Sequence, residues 1–304
     1  MNGIEKTPFR VRLLGGDLAI TSDLTPPRLP DLGPLVGQAE KIAPHVDAVF
    51  VTESPGARPR VGALAAAAYL VKELDVPVVL QLVARRSNRI ALQSELLSAA
   101  AWGMYDLLLL RGDPPSLGSL PEAEDLNCVD TPSFIAMARI MRDEARLCDG
   151  SPLKEPVPFL IGASVDPFEE PFDEEGLMAK IDAGADFLVT QPVFDLAAFA
   201  RWLQAHHLAL GRTRLVAGVL IVHSAEMARY MSRVPGIHLP PSLVNEFMRT
   251  PDPAETGLEL AREIVHSLLQ LPGVSGLHVM HVGFPQGVVD LLESCGLSRA
   301  RSAG

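Results

Sequence analysis

Cysteine is scarce in this 304-residue chain, which contains only Cys128, Cys148 and Cys295. The three are scattered, odd in number and form no Cys-x-x-Cys pair. That pattern argues against a disulfide framework and gives no support to a structural zinc site. We expect buried thiols in a reducing compartment.

Long apolar runs and excess positive charge are also missing. No apolar stretch approaches the roughly 20 residues that a membrane span needs, and the N-terminal segment lacks the uninterrupted apolar region of a signal peptide. The 37 acidic residues outnumber the 26 basic ones, and the formal net charge is −11. Because nucleic-acid binders need a basic face, we expect a cytoplasmic protein with neither a nucleic-acid nor a membrane partner.

What the chain has is a regular succession of short, nearly continuous hydrophobic runs, as is typical of strands buried on both faces. Helical patterns separate them, including one long stretch over 242–271. Strict strand–helix alternation repeated eight times predicts a single (β/α)8 barrel over residues 1–304, with 1–15 and 298–304 peripheral or flexible. An open doubly wound sheet is the alternative, although no G-x-G-x-x-G follows the first run. The runs cover residues 17–24, 46–52, 76–83, 106–112, 157–165, 185–191, 214–222 and 276–282.

Polar residues stand where these runs end, and barrel active sites form at the carboxyl ends of the strands. Asp23, Asp113 and Gln191 follow their strands closely, which favours a functional role. Glu53 and Asp166, taken singly, are more often ordinary loop or capping residues. Two carboxylates facing one pocket can manage a proton, because burial can hold one protonated while the other stays ionised.

Arginines crowd the loops after the second, third and fourth runs of an otherwise acidic chain, and Lys180 could add to them. Local positive charge of this kind indicates either an anionic ligand or a salt-bridged surface. His278 and His281 are three apart, so we expect them on opposite faces of a strand and predict no metal site. The arginines are Arg58, Arg60, Arg85, Arg86, Arg89 and Arg111.

Several motifs together resemble the methylenetetrahydrofolate reductase family. "SDLTPPR", "NRIALQSELL", "RGDPP", "DAGADFLVTQPVFD", "VPGIHLPPSLV" and "GVSGLHVMHV" occur in the family's order between Asp17 and Leu297. The match is closest to the branch with "NRIALQS" after the third strand. The resemblance implies a barrel that reduces 5,10-methylenetetrahydrofolate to 5-methyltetrahydrofolate, with hydride from FAD that is itself reduced by NADH or NADPH.

The resemblance also implies residue roles. Asp23 stands where the family has its acid glutamate and is one methylene shorter, and Asp113 and Gln191 match residues that contact the pterin and the folate. Departures such as Glu53 for an aromatic residue leave two alternatives open: a flavin-independent reductase of the same folate, or a non-catalytic subunit that binds folate or a redox partner in a larger complex. A homo-oligomer is possible. The positions that match cofactor contacts are Thr52, Gln81, Arg111, Gly112, Asp173 and Lys180.

Overall fold

Eight parallel strands close into one barrel in the computed structural model, which describes residues 7–299. Each strand pairs with its neighbours in chain order, and the eighth pairs with the first. The prediction of a (β/α)8 barrel is confirmed, and the open doubly wound sheet is wrong. The strands are β1 (Ala19–Leu24), β2 (Ala48–Val51), β3 (Val78–Val83), β4 (Asp106–Leu110), β5 (Leu160–Val165), β6 (Phe187–Pro192), β7 (Arg214–Leu220) and β8 (Val274–Met280).

Helices connect the strands and form the outer layer. Across the described residues, none of them is both long and apolar enough to cross a membrane. The helices are α1 (Pro8–Gly15), α2 (Gly33–Ile42), α3 (Ala63–Leu74), α4 (Arg89–Ala101), α5 (Thr131–Asp143), α6 (Glu174–Ala183), α7 (Leu196–Ala205), α8 (His207–Leu210), α9 (Ala225–Met231), α10 (Pro241–Phe247), α11 (Pro253–Leu268) and α12 (Pro285–Ser294).

The long helical stretch expected over 242–271 is two helices, α10 and α11. Pro253 cannot continue a preceding helix because its ring removes a backbone donor, and it opens α11 instead. Asp252 caps the new helix by accepting a hydrogen bond from the backbone N–H of Glu255 at 3.1 Å. The chain therefore bends between the two helices.

Side chains of the strands alternate between two separate cores. Outward residues such as Ile20, Val49 and Leu80 pack against the helices in the larger core. Inward residues fill the barrel interior in layers, as in other eight-stranded barrels. This inner apolar layer comprises Phe9, Leu13, Ala19, Ala48, Phe50, Val79, Leu108, Leu160, Phe187, Val189 and Val216.

Helix α1 closes the amino-terminal end of the barrel. Phe9 and Leu13 are completely buried, and the Phe9 ring lies 5.9 Å from that of Phe50 and 5.3 Å from that of Phe187, edge to face. Arg10 fixes the helix through a 2.7 Å contact with Asp106. The expectation that 1–15 is peripheral or flexible is therefore wrong for residues 7–15, and residues 1–6 lie outside the described residues.

The end of the described chain is also tied to the barrel. The Arg299 guanidinium lies 3.1 Å from the Asp47 carboxylate and donates to the Leu18 carbonyl at 2.7 Å. Residues 298 and 299 thus depart from the expected peripheral tail, and residues 300–304 lie outside the described residues.

The three thiols are not buried as expected. Cys128 and Cys148 are exposed, and Cys295 is half-buried. All three are free, which agrees with the prediction that the chain has no disulfide framework.

Replacing Phe9 by alanine should lower the free energy of unfolding by about 3–5 kcal/mol, because it empties the closed end of the barrel. Denaturant titration measures the change. Val11 on the same helix is 52% exposed, so Val11→Ala should shift stability by no more than about 0.5 kcal/mol. Equal midpoints for the two variants would show that α1 does not stabilise the barrel.

Candidate functional site

A layer of polar side chains lies above the inner apolar layer, at the carboxyl ends of the strands. Alternation sets its members: Asp23 is four residues after Ala19, Thr52 is two after Phe50, and Gln191 is two after Val189. Gln81 and Ser164 follow Val79 and Leu160 in the same way. Because inward side chains of a closed barrel converge, these polar groups share one mouth.

Asp23 is bonded to a buried histidine. His278 Nε2 lies 3.0 Å from the Asp23 carboxylate, and His278 Nδ1 lies 2.9 Å from the Thr21 hydroxyl. The His278 side chain is 3% exposed and that of Asp23 is 21% exposed. The imidazole packs on Phe50, with ring centroids 4.4 Å apart. The carboxylate is therefore held in one place rather than left to solvent.

One proton must lie between Asp23 and His278. An ionised carboxylate only accepts hydrogen bonds, so Nε2 then carries the proton; a protonated carboxyl would instead donate to an unprotonated Nε2. The Thr21 hydroxyl can satisfy Nδ1 in either case, because it can also donate to the Leu277 carbonyl at 3.3 Å. The hydrogen bond thus links a carboxyl group at the mouth to a buried imidazole.

The two histidines do not diverge as expected. His281 also faces Asp23, with Nε2 3.1 Å from the Asp23 backbone carbonyl. Strand β8 ends at Met280, so strand alternation no longer applies at His281. Burial lowers the pKa of His281, and the Asp23 carboxylate opposes this in part. The strand pairing of β1 with β8 places Thr21 beside His278. The sequence does not show this pairing, so the contact of His278 with Asp23 was not predicted.

Asp113 lies on the loop that follows β4, at the rim of the same mouth. Its carboxylate accepts a hydrogen bond from the Gly56 backbone N–H at 2.7 Å. Gly112 turns the chain with φ +88°, and a Cβ there would come within 2.0 Å of Val83, so this position requires glycine. The turn directs the loop after β4 towards the loop after β2.

The loops after β2 and β4 meet above the end of β3. They contain the short 3₁₀ turns Pro55–Ala57 and Pro115–Leu117. A Cβ on Gly118 would lie 2.1 Å from the Ala57 carbonyl oxygen, so the two backbones are in direct contact. The chain's own loops therefore cover the mouth at β3.

Gln191 ends β6 on the inner wall and is half-buried. Within residues 7–299 its side-chain amide makes no hydrogen bond, so its donors and its acceptor are unused. Asp23, Asp113 and Gln191 thus lie at the same end of the barrel. Their joint contact with one ligand stays a prediction.

Three of the expected cofactor residues lie at or just after β2, β3 and β4. Thr52 is 7% exposed and donates to the Thr25 hydroxyl at 3.1 Å. Gln81 is 9% exposed. Arg111 donates to the Asn127 side-chain oxygen at 3.3 Å. Thr52 and Gln81 are therefore buried, whereas Arg111 is exposed.

The two expected cofactor residues on the α6 side are engaged as well. Asp173 caps α6 by accepting from the Gly176 backbone N–H at 2.8 Å. Lys180 Nζ donates to the Ser164 carbonyl at 3.0 Å. Burial lowers the pKa of Lys180, and the nearby Asp173 and Glu169 carboxylates oppose that change.

The arginine cluster is partly a set of internal ion pairs. Arg85 lies 2.5 Å from Asp125, and Arg86 lies 2.7 Å from Glu53. Arg60 donates to the Pro26 carbonyl at 2.9 Å, and burial lowers its pKa. The sequence left two interpretations of the local positive charge, an anionic ligand or a salt-bridged surface. Salt bridges are present for Arg85 and Arg86. Arg58, Arg89 and Arg111 are exposed, as is Arg86.

Together the fold and this site define a (β/α)8 barrel with an acid–imidazole pair and a free amide at the mouth, the end at which barrel enzymes carry their active sites. The family model described as methylenetetrahydrofolate reductase matches residues 10–296. The chain belongs to the methylenetetrahydrofolate reductase family.

Curated relatives agree with this assignment. "Probable methylenetetrahydrofolate reductase (NADPH)" of Caenorhabditis elegans is 23% identical over 244 residues, which cover 76% of this chain and 34% of the relative. "Methylenetetrahydrofolate reductase 2" of Schizosaccharomyces pombe is 26% identical over 261 residues, 77% of this chain and 38% of the relative. The chain thus spans little more than a third of the length of these relatives.

Among solved structures, the chain is similar to a riboflavin lyase (RcaE) crystallised with modified FMN and substrate riboflavin. The TM-score is 0.58 at 10% sequence identity, and the match covers 94% of each chain. At this identity the likeness concerns the barrel fold.

The charges of the Glu53–Arg86 pair act on the pKa of the Glu95 carboxyl group, on α4. Burial, and to a smaller extent repulsion by Glu53, raise its pKa from 4.5 to about 7, although Arg86 acts in the opposite direction. The protonated form is the one that the fold favours. Its stabilisation is therefore complete below pH 4.5 and is lost as the pH rises through about 7.

Glu95→Gln should remove this pH dependence. From about pH 5 to about pH 8 the wild type should lose about 1–2 kcal/mol of unfolding free energy relative to the variant, after allowance for solvent screening of a partly exposed group. Urea titration at each pH measures this. Glu263→Gln, at an exposed position on α11, is the control. Parallel pH profiles for wild type and Glu95→Gln would contradict the prediction.

Proposed function

We propose that this chain reduces 5,10-methylenetetrahydrofolate to 5-methyltetrahydrofolate, with Asp23 as the acid. The observation that carries the proposal is the hydrogen bond between Asp23 and the buried His278 at the mouth of the barrel. Family membership supports the choice of substrate. The chain covers only about a third of the length of its curated relatives. Whether this chain is active by itself is therefore the point to test.

The reaction needs one proton and one hydride. The methylene carbon of the substrate joins N5 to N10. Protonation at N10 lets the bond between carbon and N10 break with its electron pair on nitrogen, which leaves a cationic iminium at N5. Hydride then adds to that carbon and forms the methyl group. Asp23 supplies the proton, and His278 holds the carboxyl in place for the transfer.

Gln191 and Asp113 would hold the pterin. A pterin ring presents N–H donors next to a carbonyl and ring nitrogens, and a free amide can both donate to and accept from such an edge. The Asp113 carboxylate accepts only, so it suits the N–H groups. Since Asp113 also accepts from Gly56, its position on the rim is fixed before substrate arrives.

Two observations support a reaction without a flavin. Thr52 and Lys180 donate to partners within the protein, and the exposed Arg111 and Asp173 each make one internal hydrogen bond. The contact between Gly118 and the Ala57 carbonyl packs the loops after β2 and β4, which flank β3, against each other. We therefore favour the flavin-independent form of the reaction, in which NADH or NADPH passes hydride directly to the folate, over the FAD-dependent one.

The visible spectrum of the purified protein separates the two forms. We expect no flavin absorption, and turnover of methylenetetrahydrofolate with a reduced nicotinamide and no added FAD. A yellow protein that bleaches anaerobically with NADH would instead establish the FAD-dependent reaction. Folate binding without any turnover would point to the non-catalytic subunit.

Substitution of the acid gives an independent test. Asp23→Asn should lower kcat by about a hundredfold or more, because general acid catalysis contributes on that scale, while the Kd for folate changes little. Asp23→Glu should retain activity. The control is Asp17→Asn, at an exposed position before β1. Wild-type kcat in Asp23→Asn would rule out this residue as the acid.

A further inference from the structure

A short segment of the chain crosses the mouth of the barrel from the β7 side. It links α9 to α10, and we call Val234–Leu239 the strap. Val234, Ile237 and Leu239 pack in a small apolar cluster with Leu220 at the end of β7. The strap is thus anchored along its length by apolar contacts.

A polar contact ties the other side of the strap to β5. His238 Nε2 lies 2.8 Å from Oδ2 of Asp166, the residue that follows β5. The other oxygen of Asp166 accepts from the Phe168 backbone N–H at 3.0 Å, so the carboxylate cannot turn away freely. The His238 ring also lies 5.6 Å from the Phe168 ring. The strap therefore spans from β7 past β6 to β5.

Between Val234 and His238 the strap lies directly against Gln191. A Cβ on Gly236 would be 3.1 Å from both Cδ and Nε2 of the Gln191 amide, and Gly236 has φ +79°. The positive φ favours glycine here, and a Cβ would lie in tight contact with the amide. The strap thus forms one wall of the space in which that amide can move.

We propose that His238 and Asp166 form a clasp that holds the strap against Gln191 and so orients the amide towards the folate. Both are positioning residues, since neither needs to touch the reacting atoms. Fixing the amide before substrate binds removes an entropic cost of binding. The effect should fall on KM more than on kcat, because the amide binds the ground state and the transition state alike. The kinetic side of this inference rests on the proposed function.

The test compares three substitutions of histidine. His238→Phe keeps a ring beside Phe168 but removes the hydrogen bond to Asp166. His238→Gln restores a side-chain N–H donor. His207→Ala removes an exposed histidine on α8, in the outer layer, and serves as the matched control.

Two measurements are made on each full-length variant. Loss of one such hydrogen bond corresponds to about a fivefold to tenfold change in binding, so His238→Phe should raise KM for methylenetetrahydrofolate by about that factor, with kcat within about threefold. Without substrate, amide hydrogen exchange of the strap should be faster in His238→Phe. His238→Gln and His207→Ala should match the wild type in both measurements.

Each result decides something. Wild-type exchange of the strap in His238→Phe would overturn the clasp, and so would a His238→Gln variant that behaves like His238→Phe. Faster exchange with unchanged KM would show that the clasp does not orient Gln191, which also overturns the proposal. If the wild type has no reductase activity, the proposed function fails, and the exchange measurement alone still decides whether the clasp exists.

Discussion

Everything at the mouth of this barrel depends on how the space below it is filled. A closed eight-stranded barrel has room inside only for stacked layers of side chains. Phe9 enters from α1 and packs between Phe50 and Phe187, so the lower interior is apolar and full. The polar layer above cannot sink further, and each of its members must find a partner at the mouth or face solvent. Thr21, His278 and Asp23 solve this by bonding to one another.

The same requirement explains the charges around the mouth. Arg85 and Arg86 come directly after β3, where the loops from β2 and β4 close over the strand end. Taking a guanidinium out of water is costly unless a carboxylate compensates it. Asp125 provides that compensation for the buried Arg85, and Glu53 pairs with the exposed Arg86. Part of the local positive charge in the sequence is therefore neutralised by ion pairs within the protein. The exposed arginines are the ones that an anionic ligand could reach.

The sequence was informative where short-range periodicity decides the structure. Nearly continuous apolar runs predict buried parallel strands, and the places of Asp23 and Gln191 close to the ends of their runs predict that they lie at the carboxyl ends of strands. It was less informative where contacts join distant segments. Asp23 and His278 are 255 residues apart, and their contact follows from the closure of β8 on β1. Helix α1 has only Phe9 and Leu13 as buried residues, too few to announce its role in filling the barrel.

The acid of the proposed reaction, Asp23, has a shorter side chain than the glutamate that the family resemblance implies at this position. Because His278 fixes the Asp23 carboxyl against the wall, that group cannot swing outwards to make up the missing methylene. In the proposed reaction the folate must therefore come deeper into the mouth for N10 to meet the acid. A substrate seated deeper depends more on the groups that line the wall above Asp23, and Gln191 is the free one among those expected to bind folate. In the proposed reaction, placement of its amide by the strap then helps to hold the folate at that depth, and the gain falls on KM rather than on kcat.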